Sequence, residues 1–144
     1  MKKLLSIAAL ICLSYCTHAQ TIVGKWKCIG NQLINDNNKI TDLQKQLEAT
    51  MPCAANTIYI FEANGKQYTQ STSECKAIDA VGAVNWSISG NTIYIRKGTS
   101  KNFETSYTLL FQGNKVVFTH DYTDAEKKKL HIKTKRIIIT YQKI

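Results

Sequence analysis

The chain has 144 residues, 44% of them hydrophobic, and a formal net charge of +9 at pH 7. This length is that of one domain with one core, and the chain contains no low-complexity linker that would mark a second domain. A moderate positive excess is common in exported proteins and favours solubility over a particular partner.

The first residues have the composition of a signal peptide. Lys2 and Lys3 form a basic start, residues 4–13 are apolar, and residues 17–19 (Thr-His-Ala) end in the small residue that a signal peptidase requires. We predict a signal peptide over residues 1–19 and a mature domain over residues 20–144. The mature protein is expected to be periplasmic or extracellular, and loss of two lysines lowers its formal charge from +9 to +7.

The apolar run is too short for a transmembrane helix, which needs about 20 residues, so no transmembrane segment is expected. A lipid anchor on Cys16 is an alternative, because residues 13–16 (Leu-Ser-Tyr-Cys) loosely resemble a lipobox. The bulky Tyr15 lies where such a motif needs a small residue, which favours the freely exported form.

The mature chain alternates short β-type segments with turn signals. The turns are indicated by Asn64-Gly65, Gly90-Asn91 and Gly113-Asn114, which separate segments rich in Ile, Val, Tyr, Thr and Phe. Eight strands are predicted, at residues 22–33, 56–62, 66–73, 83–89, 92–97, 103–111, 115–121 and 131–142.

Two short segments have helical character. In residues 41–49, Leu43 and Leu47 are four apart and Thr41 is a plausible N-cap. In residues 123–130 the acidic residues come first and the lysines last, and Thr123 has capping-box spacing to Glu126. Both segments are expected to be short helices that cover the sheet.

Eight sequential strands can close either as a two-sheet sandwich or as an up-and-down antiparallel β-barrel, since an open sheet would leave its edges exposed. Periodicity alone does not choose between them. In a barrel, Trp26 is interpreted as a plug at one end. Alternation along the strands predicts inward-facing wall residues that contact a ligand: Ile58, Ile60, Tyr107, Leu109, Phe111, Phe118 and Ile139.

The mature chain has three cysteines, Cys28, Cys53 and Cys75. Because export leads to an oxidising compartment, an odd number predicts one disulfide and one unpaired thiol. Cys28 has the same strand parity as Trp26, so it is expected to point inward as a small apolar side chain.

The opening Val23-Gly24-Lys25-Trp26 resembles the first strand of lipocalin-like families. The order of Cys53, residues 57–61 and 64–68, Cys75 and residues 85–88 is similar to that of small exported bacterial lipocalin-like domains. Residues 140–143 (Thr-Tyr-Gln-Lys) resemble the closing strand of that family, so the resemblance covers residues 22–142. It implies an eight-stranded lipocalin-like barrel, a disulfide between Cys53 and Cys75, and a non-catalytic role in binding hydrophobic molecules.

No catalytic or metal-binding pattern stands out. His120, Asp121 and His131 are the nearest approach to a site, but no nucleophile or third ligand accompanies them. The familiar enzyme signatures are absent, so we expect neither an enzyme nor a cofactor or bound metal. The basic residues 127–129, 133, 135 and 136 are interpreted as a solvated edge, not a nucleic-acid site, and the protein is expected to be a monomer.

The sequence therefore predicts an exported binding protein that holds a small hydrophobic or amphiphilic ligand inside a barrel. The alternative is a cell-envelope interaction module whose barrel is filled by its own side chains and which binds no small molecule.

Overall fold

The computed structural model describes residues 21–75, 82–98 and 104–144, so the predicted signal peptide lies outside the described residues. The strands are β1 (Gly24–Asn35), β2 (Ile40–Asp42), β3 (Ile58–Phe61), β4 (Lys66–Gln70), β5 (Val84–Ser89), β6 (Thr92–Arg96), β7 (Glu104–Gln112), β8 (Lys115–Asp121) and β9 (Thr134–Lys143). The helices are α1 (Leu43–Thr50) and α2 (Asp124–Leu130), and two 3₁₀ turns lie at Pro52–Asn56 and Ser73–Cys75. None of the helices in these ranges is long and apolar enough to cross a bilayer.

The sheet closes on itself. Strands pair antiparallel in the order β2-β1-β3-β4-β5-β6-β7-β8-β9, and β1 also pairs with β9. The closing ladder runs from Trp26 opposite Lys143 to Asn35 opposite Thr134. The predicted eight-stranded antiparallel barrel is thus confirmed, and closure removes the free edges that an open sheet would expose. The sequence did not predict β2, an extra strand of three residues that pairs with β1 beside the barrel.

The predicted hairpin turns are confirmed at one end of the barrel. Asn64-Gly65, Gly90-Asn91 and Gly113-Asn114 join β3 to β4, β5 to β6 and β7 to β8. Gly65 has φ +80°, and a Cβ there would lie 3.0 Å from the carbonyl oxygen of Trp86. The turn therefore needs glycine both for its backbone conformation and for the close approach of β5.

The same end of the barrel is closed by apolar side chains. Ile22 folds in ahead of β1 and is 1% exposed, and Trp26 is 2% exposed. The indole Nε1–H of Trp26 donates to the carbonyl oxygen of Ile22 at 2.7 Å. Trp26 is thus buried at one end of the barrel with its polar atom satisfied, and Phe61 and Phe118 pack in the same core.

Helix α1 differs from the prediction in its cap and in its buried face. Asp42, not Thr41, is the N-cap and accepts the N–H of Lys45 at 3.0 Å. Gln44 is buried and donates to Glu48 at 2.7 Å, whereas Leu47 is 40% exposed. The predicted apolar face of α1, which includes Leu47, is therefore wrong. The preceding strand β2 fixes the rotation of this short helix, and Gln44 can occupy the buried position because its side-chain amide is paired with the carboxylate of Glu48.

Helix α2 begins as predicted. Thr123 is the N-cap, its hydroxyl accepts the N–H of Glu126 at 3.2 Å, and the Glu126 carboxylate accepts the N–H of Thr123 at 2.7 Å. His131 ends the helix in the left-handed conformation at φ 54°. The capping box fixes where the chain leaves β8 and returns towards β9.

The disulfide between Cys53 and Cys75 is confirmed, and it joins the two 3₁₀ turns across a Cα–Cα distance of 5.8 Å. Cys28 is unpaired and buried, as expected. The bridge therefore ties the segment before β3 to the segment after β4.

Candidate functional site

The barrel has two unlike ends. At the closed end lie Trp26, the three hairpin turns and the last residues of β9. At the other end, the mouth, β1 ends, β9 begins, and α2 and the disulfide-linked turns lie between strands. The mouth is the end at which a molecule would enter the barrel.

Inward-facing side chains of β1, β9, β8 and β7 form three layers along the barrel. The lower layer, nearest the closed end, is Cys28, Tyr141, Val116 and Phe111. The middle layer is Asn31, Ile139, Phe118 and Leu109. The upper layer, nearest the mouth, is Leu33, Ile137, His120 and Tyr107.

Exposure rises from the lower layer to the upper. Val116 is 0% exposed in the lower layer and Phe118 is 1% exposed in the middle one. Every member of the upper layer is partly exposed, although all four side chains face inward. The barrel therefore combines a packed floor with an accessible, mostly apolar upper half.

A β-bulge in β1 shapes the wall between the lower and middle layers. The pairing with β9 shifts between Cys28 and Gly30, so that both Ile29 and Gly30 lie on the outer face, where Ile29 is 40% exposed. After the bulge Asn31, not Gly30, takes the inward position. The bulge thus places a polar side chain on an otherwise apolar wall.

Asn31 has an unsatisfied polar atom. Its Oδ1 is buried and accepts no hydrogen bond from any residue that the structure describes. An unpaired buried acceptor costs about 1–3 kcal/mol, and a donor brought within reach by rotation of the amide would recover part of that cost.

Other inward-facing residues carry neutral hydroxyls and a thiol. Burial raises the pKa of Tyr59 and of Tyr107 to about 12, and it raises the pKa of Tyr141 well above its usual range. Burial likewise raises the pKa of the Cys28 thiol to about 11, and this thiol donates to the carbonyl oxygen of Gly30 at 3.5 Å. These groups stay protonated at neutral pH, so they offer hydrogen bonds without charge.

The three layers contain no lysine or arginine, and His120 is their single basic side chain. A carboxylate deep in the barrel would lose its hydration and find no cation among these twelve residues. Apart from His120, these twelve residues therefore offer no cationic side chain to an anionic group.

A cleft of about 420 Å³ borders the upper layer at the mouth. It lies between β7 and α2, and it includes Tyr107 and His120 of the upper layer together with Tyr122, Glu126, Lys129 and Leu130. This mixture of aromatic, charged and aliphatic groups provides both a path to the upper layer and polar contacts at its edge.

His120 connects the barrel wall to α2. Its Nδ1 lies 2.7 Å from the carbonyl oxygen of Ser106, so Nδ1 carries the hydrogen and donates it. Its Nε2 lies 3.4 Å from Glu126, whose carboxylate is also held by the capping box. Hydrogen bonds from Thr123 lower the pKa of Glu126, so a carboxylate faces the imidazole at neutral pH.

Two of the predicted wall residues face the wrong way. Ile58 and Ile60 pair with Lys27 and Lys25 of β1, so both isoleucines lie on the outer face. Tyr59 and Phe61 point inward in their place and pack in or against the core. The prediction was one residue out of register because residues 58–61 are apolar at every position, so alternation alone does not identify the buried face.

The other five predicted wall residues face inward. Leu109 and Phe118 are 7% and 1% exposed and belong to the packed core. Tyr107, Phe111 and Ile139 are partly buried against it. Tyr107 and Ile139 lie at the boundary between the floor and the accessible half, while Phe111 lies near the closed end. The sequence prediction missed Asn31 and Leu33, because the β-bulge changes the parity of β1. It also missed Ile137, although Ile137 has the same parity in β9 as the predicted Ile139.

The residues considered for catalysis or metal binding are not brought together. Asp121 points outward and pairs with Arg136, and His131 lies at the far end of α2. In the described part of the chain, no three His, Cys, Asp or Glu side chains are grouped so that they could hold a metal ion.

Comparisons with protein-family models, with curated proteins and with solved structures found no match.

Proposed function

We propose that this protein is an exported, lipocalin-like binding protein that holds a small, uncharged hydrophobic or amphiphilic molecule in the upper half of its barrel. One observation carries the proposal: the inward-facing side chains of the upper layer remain partly exposed, whereas the floor is packed. Apolar groups that face inward yet touch solvent are the expected lining of a ligand site.

Burial of apolar surface supplies the driving force. Each 100 Å² of apolar ligand and wall surface removed from water contributes about 2.5 kcal/mol. Leu33, Ile137 and Tyr107 provide this surface on β1, β9 and β7. Micromolar affinity corresponds to a binding free energy of about −8 kcal/mol, which requires burial of at least roughly 320 Å² of apolar ligand and wall surface, and more once the free-energy cost of association is included.

Polar groups orient the ligand. The Asn31 amide and the neutral hydroxyl of Tyr107 favour hydroxyl or carbonyl groups in the ligand. Because the layers hold no lysine or arginine, an ionised fatty acid is a poorer match than the corresponding alcohol or ester.

The proposal is tested by measuring the binding of the neutral probe N-phenyl-1-naphthylamine through the change in its fluorescence. Ile137→Trp would fill the upper layer and is expected to weaken binding at least tenfold. Ile138→Trp is the matched control, since Ile138 is the next residue of β9 and pairs on the outer face with Thr119. Equal affinity of the two variants and the native protein would contradict the proposal.

Selectivity is tested by competition. A long-chain alcohol is expected to displace the probe at lower concentration than the carboxylic acid of the same length at neutral pH. Native mass spectrometry of protein purified from its own host would then identify any molecule that remains bound. If neither probe nor retained ligand is found, the filled interaction module is the better description.

A further inference from the structure

Five of the thirteen lysines that the structure describes lie at the closed end of the barrel. Lys25, Lys66, Lys115 and Lys143 are exposed there and Lys27 is partly exposed. None of the five forms a salt bridge with a residue that the structure describes, although Lys143 lies over the ring of Trp26 at 5.5 Å. Five cationic side chains at this end therefore lack an anionic partner.

Acidic groups are sparse at the same end. In the described ranges the acidic side chain at this end is that of Glu62, which already accepts hydrogen bonds from Tyr68 and Asn64. Towards the mouth, exposed lysines such as Lys128 and Lys133 also form no salt bridge in the described structure, but acidic side chains lie among them, and Lys127 pairs with Asp36 and Asp124. Arg96 with Glu104 and Arg136 with Asp121 are also paired. Much of the positive excess of the folded domain thus lies at the closed end.

Three of the lysines share one outer surface. Lys27 pairs with Gln142, which pairs with Lys115, so Lys27 and Lys115 lie on one row across β1, β9 and β8. Lys25 is two residues before Lys27 and therefore lies on the same face of β1. This arrangement presents several cations towards an extended surface and forms no pocket around one small anion.

We propose that the closed end docks on an anionic lipid surface. The described chain begins at this end, with Thr21 directly before the buried Ile22. The apolar residues 4–13 precede it by a segment, residues 14–20, that spans at most about 25 Å when extended. In the alternative form that carries a lipid on Cys16, the closed end would be held beside the bilayer; in the cleaved form, the lysines alone would make the contact.

An exposed apolar side chain supports a lipid partner over another polyanion. Ile144 is 61% exposed and directly follows Lys143 at the closed end. Lysines beside an exposed aliphatic side chain match the headgroup region of an anionic bilayer. Binding of nucleic-acid bases would favour exposed aromatic side chains for stacking, and the described part of the chain has none at this end. Docked in this way, the mouth faces away from the membrane.

The test is co-sedimentation of the purified protein with phosphatidylcholine vesicles, with and without phosphatidylglycerol. We expect binding only to vesicles that contain phosphatidylglycerol, and loss of binding near 1 M salt, where the Debye length falls to about 3 Å. The closed-end variant carries Lys25→Gln, Lys27→Gln and Lys115→Gln. Each neutralised lysine should lower the partition coefficient about fivefold, so the variant should bind on the order of 100-fold more weakly.

A matched variant controls for net charge. It carries Lys128→Gln, Lys129→Gln and Lys133→Gln, which remove the same charge from exposed lysines at the mouth that form no salt bridge in the described structure. This mouth variant should retain most of the native partition coefficient. Thermal melting of both variants checks that they remain folded.

Three results would overturn the proposal. The first is equal binding to vesicles with and without phosphatidylglycerol, and the second is equal weakening by the closed-end and mouth variants. The third is binding to heparin or double-stranded DNA without binding to anionic vesicles, which would assign the closed end to a different polyanion. None of these results bears on binding of the neutral probe in the barrel, so the two proposals are tested separately.

Discussion

Replacement of Phe118 by alanine tests whether the floor of the barrel is packed as described. The Phe118 ring is 1% exposed, and its centroid lies 5.1 Å from that of Tyr141, 5.8 Å from that of Tyr107 and 6.2 Å from that of Phe61. Truncation removes a buried aromatic ring and leaves a cavity among three other rings. The expected loss of unfolding free energy is about 3–5 kcal/mol.

The measurement is equilibrium unfolding in urea. With a slope of about 2 kcal/mol/M, a loss of about 4 kcal/mol lowers the midpoint by about 2 M. Val117→Ala is the control, because Val117 pairs with Leu110 and Thr140 on the outer face and is partly exposed. The expected loss of unfolding free energy for Val117→Ala is below about 1 kcal/mol.

The same pair of variants also tests the boundary between floor and site. The cavity left by Phe118→Ala adjoins Tyr107 of the upper layer, so the folded variant should bind the neutral probe at least as well as the native protein. Comparable destabilisation by Phe118→Ala and Val117→Ala would refute the assigned register of β8, and with it the layers that define the site.

Three further predictions concern the mouth and the unpaired thiol. Cys53→Ser with Cys75→Ser opens a loop of about 23 residues and should lower the unfolding free energy by about 3 kcal/mol, seen as a lower melting temperature. Thr123→Ala should lower the unfolding free energy by about 1 kcal/mol. Because folding lowers the pKa of Glu126 from 4.5, the stabilisation by the ionised Glu126 is complete above about pH 4.5 and is lost as the pH falls through the folded-state pKa. Urea titrations of the native protein and of Thr123→Ala at several pH values would measure both effects. Cys28, whose pKa burial raises to about 11, should resist iodoacetamide at pH 8 in the folded protein and react once urea unfolds it, as mass spectrometry would detect.

Several features of the fold were predictable from the sequence because they depend on local chemistry. Turns at Asn64-Gly65 and Gly113-Asn114 follow from the need for glycine in left-handed conformations. The start of α2 follows from the capping-box spacing of Thr123 and Glu126. Barrel closure did not follow from periodicity, which left the sandwich open, and was expected from the resemblance to lipocalin-like domains.

The register errors have a common physical cause. In β3 every residue from Ile58 to Phe61 is apolar, so the buried face is decided by pairing with the lysines of β1 rather than by the strand's own sequence. In β1 the bulge at Ile29 reverses the parity of the second half and brings Asn31 inward. Long-range pairing determines both features, and no local pattern reports it.

The two halves of the barrel are stabilised by different interactions. At the closed end, burial of Ile22, Trp26 and Phe61 leaves little apolar surface in contact with solvent. The mouth cannot be held in the same way, because its inward-facing side chains stay partly exposed. Covalent and polar restraints occur there instead, namely the Cys53–Cys75 disulfide, the capping box of α2 and the ion pair of Lys127 with Asp36. Such restraints hold the mouth in place without filling it, so they are compatible with the ligand site that we propose.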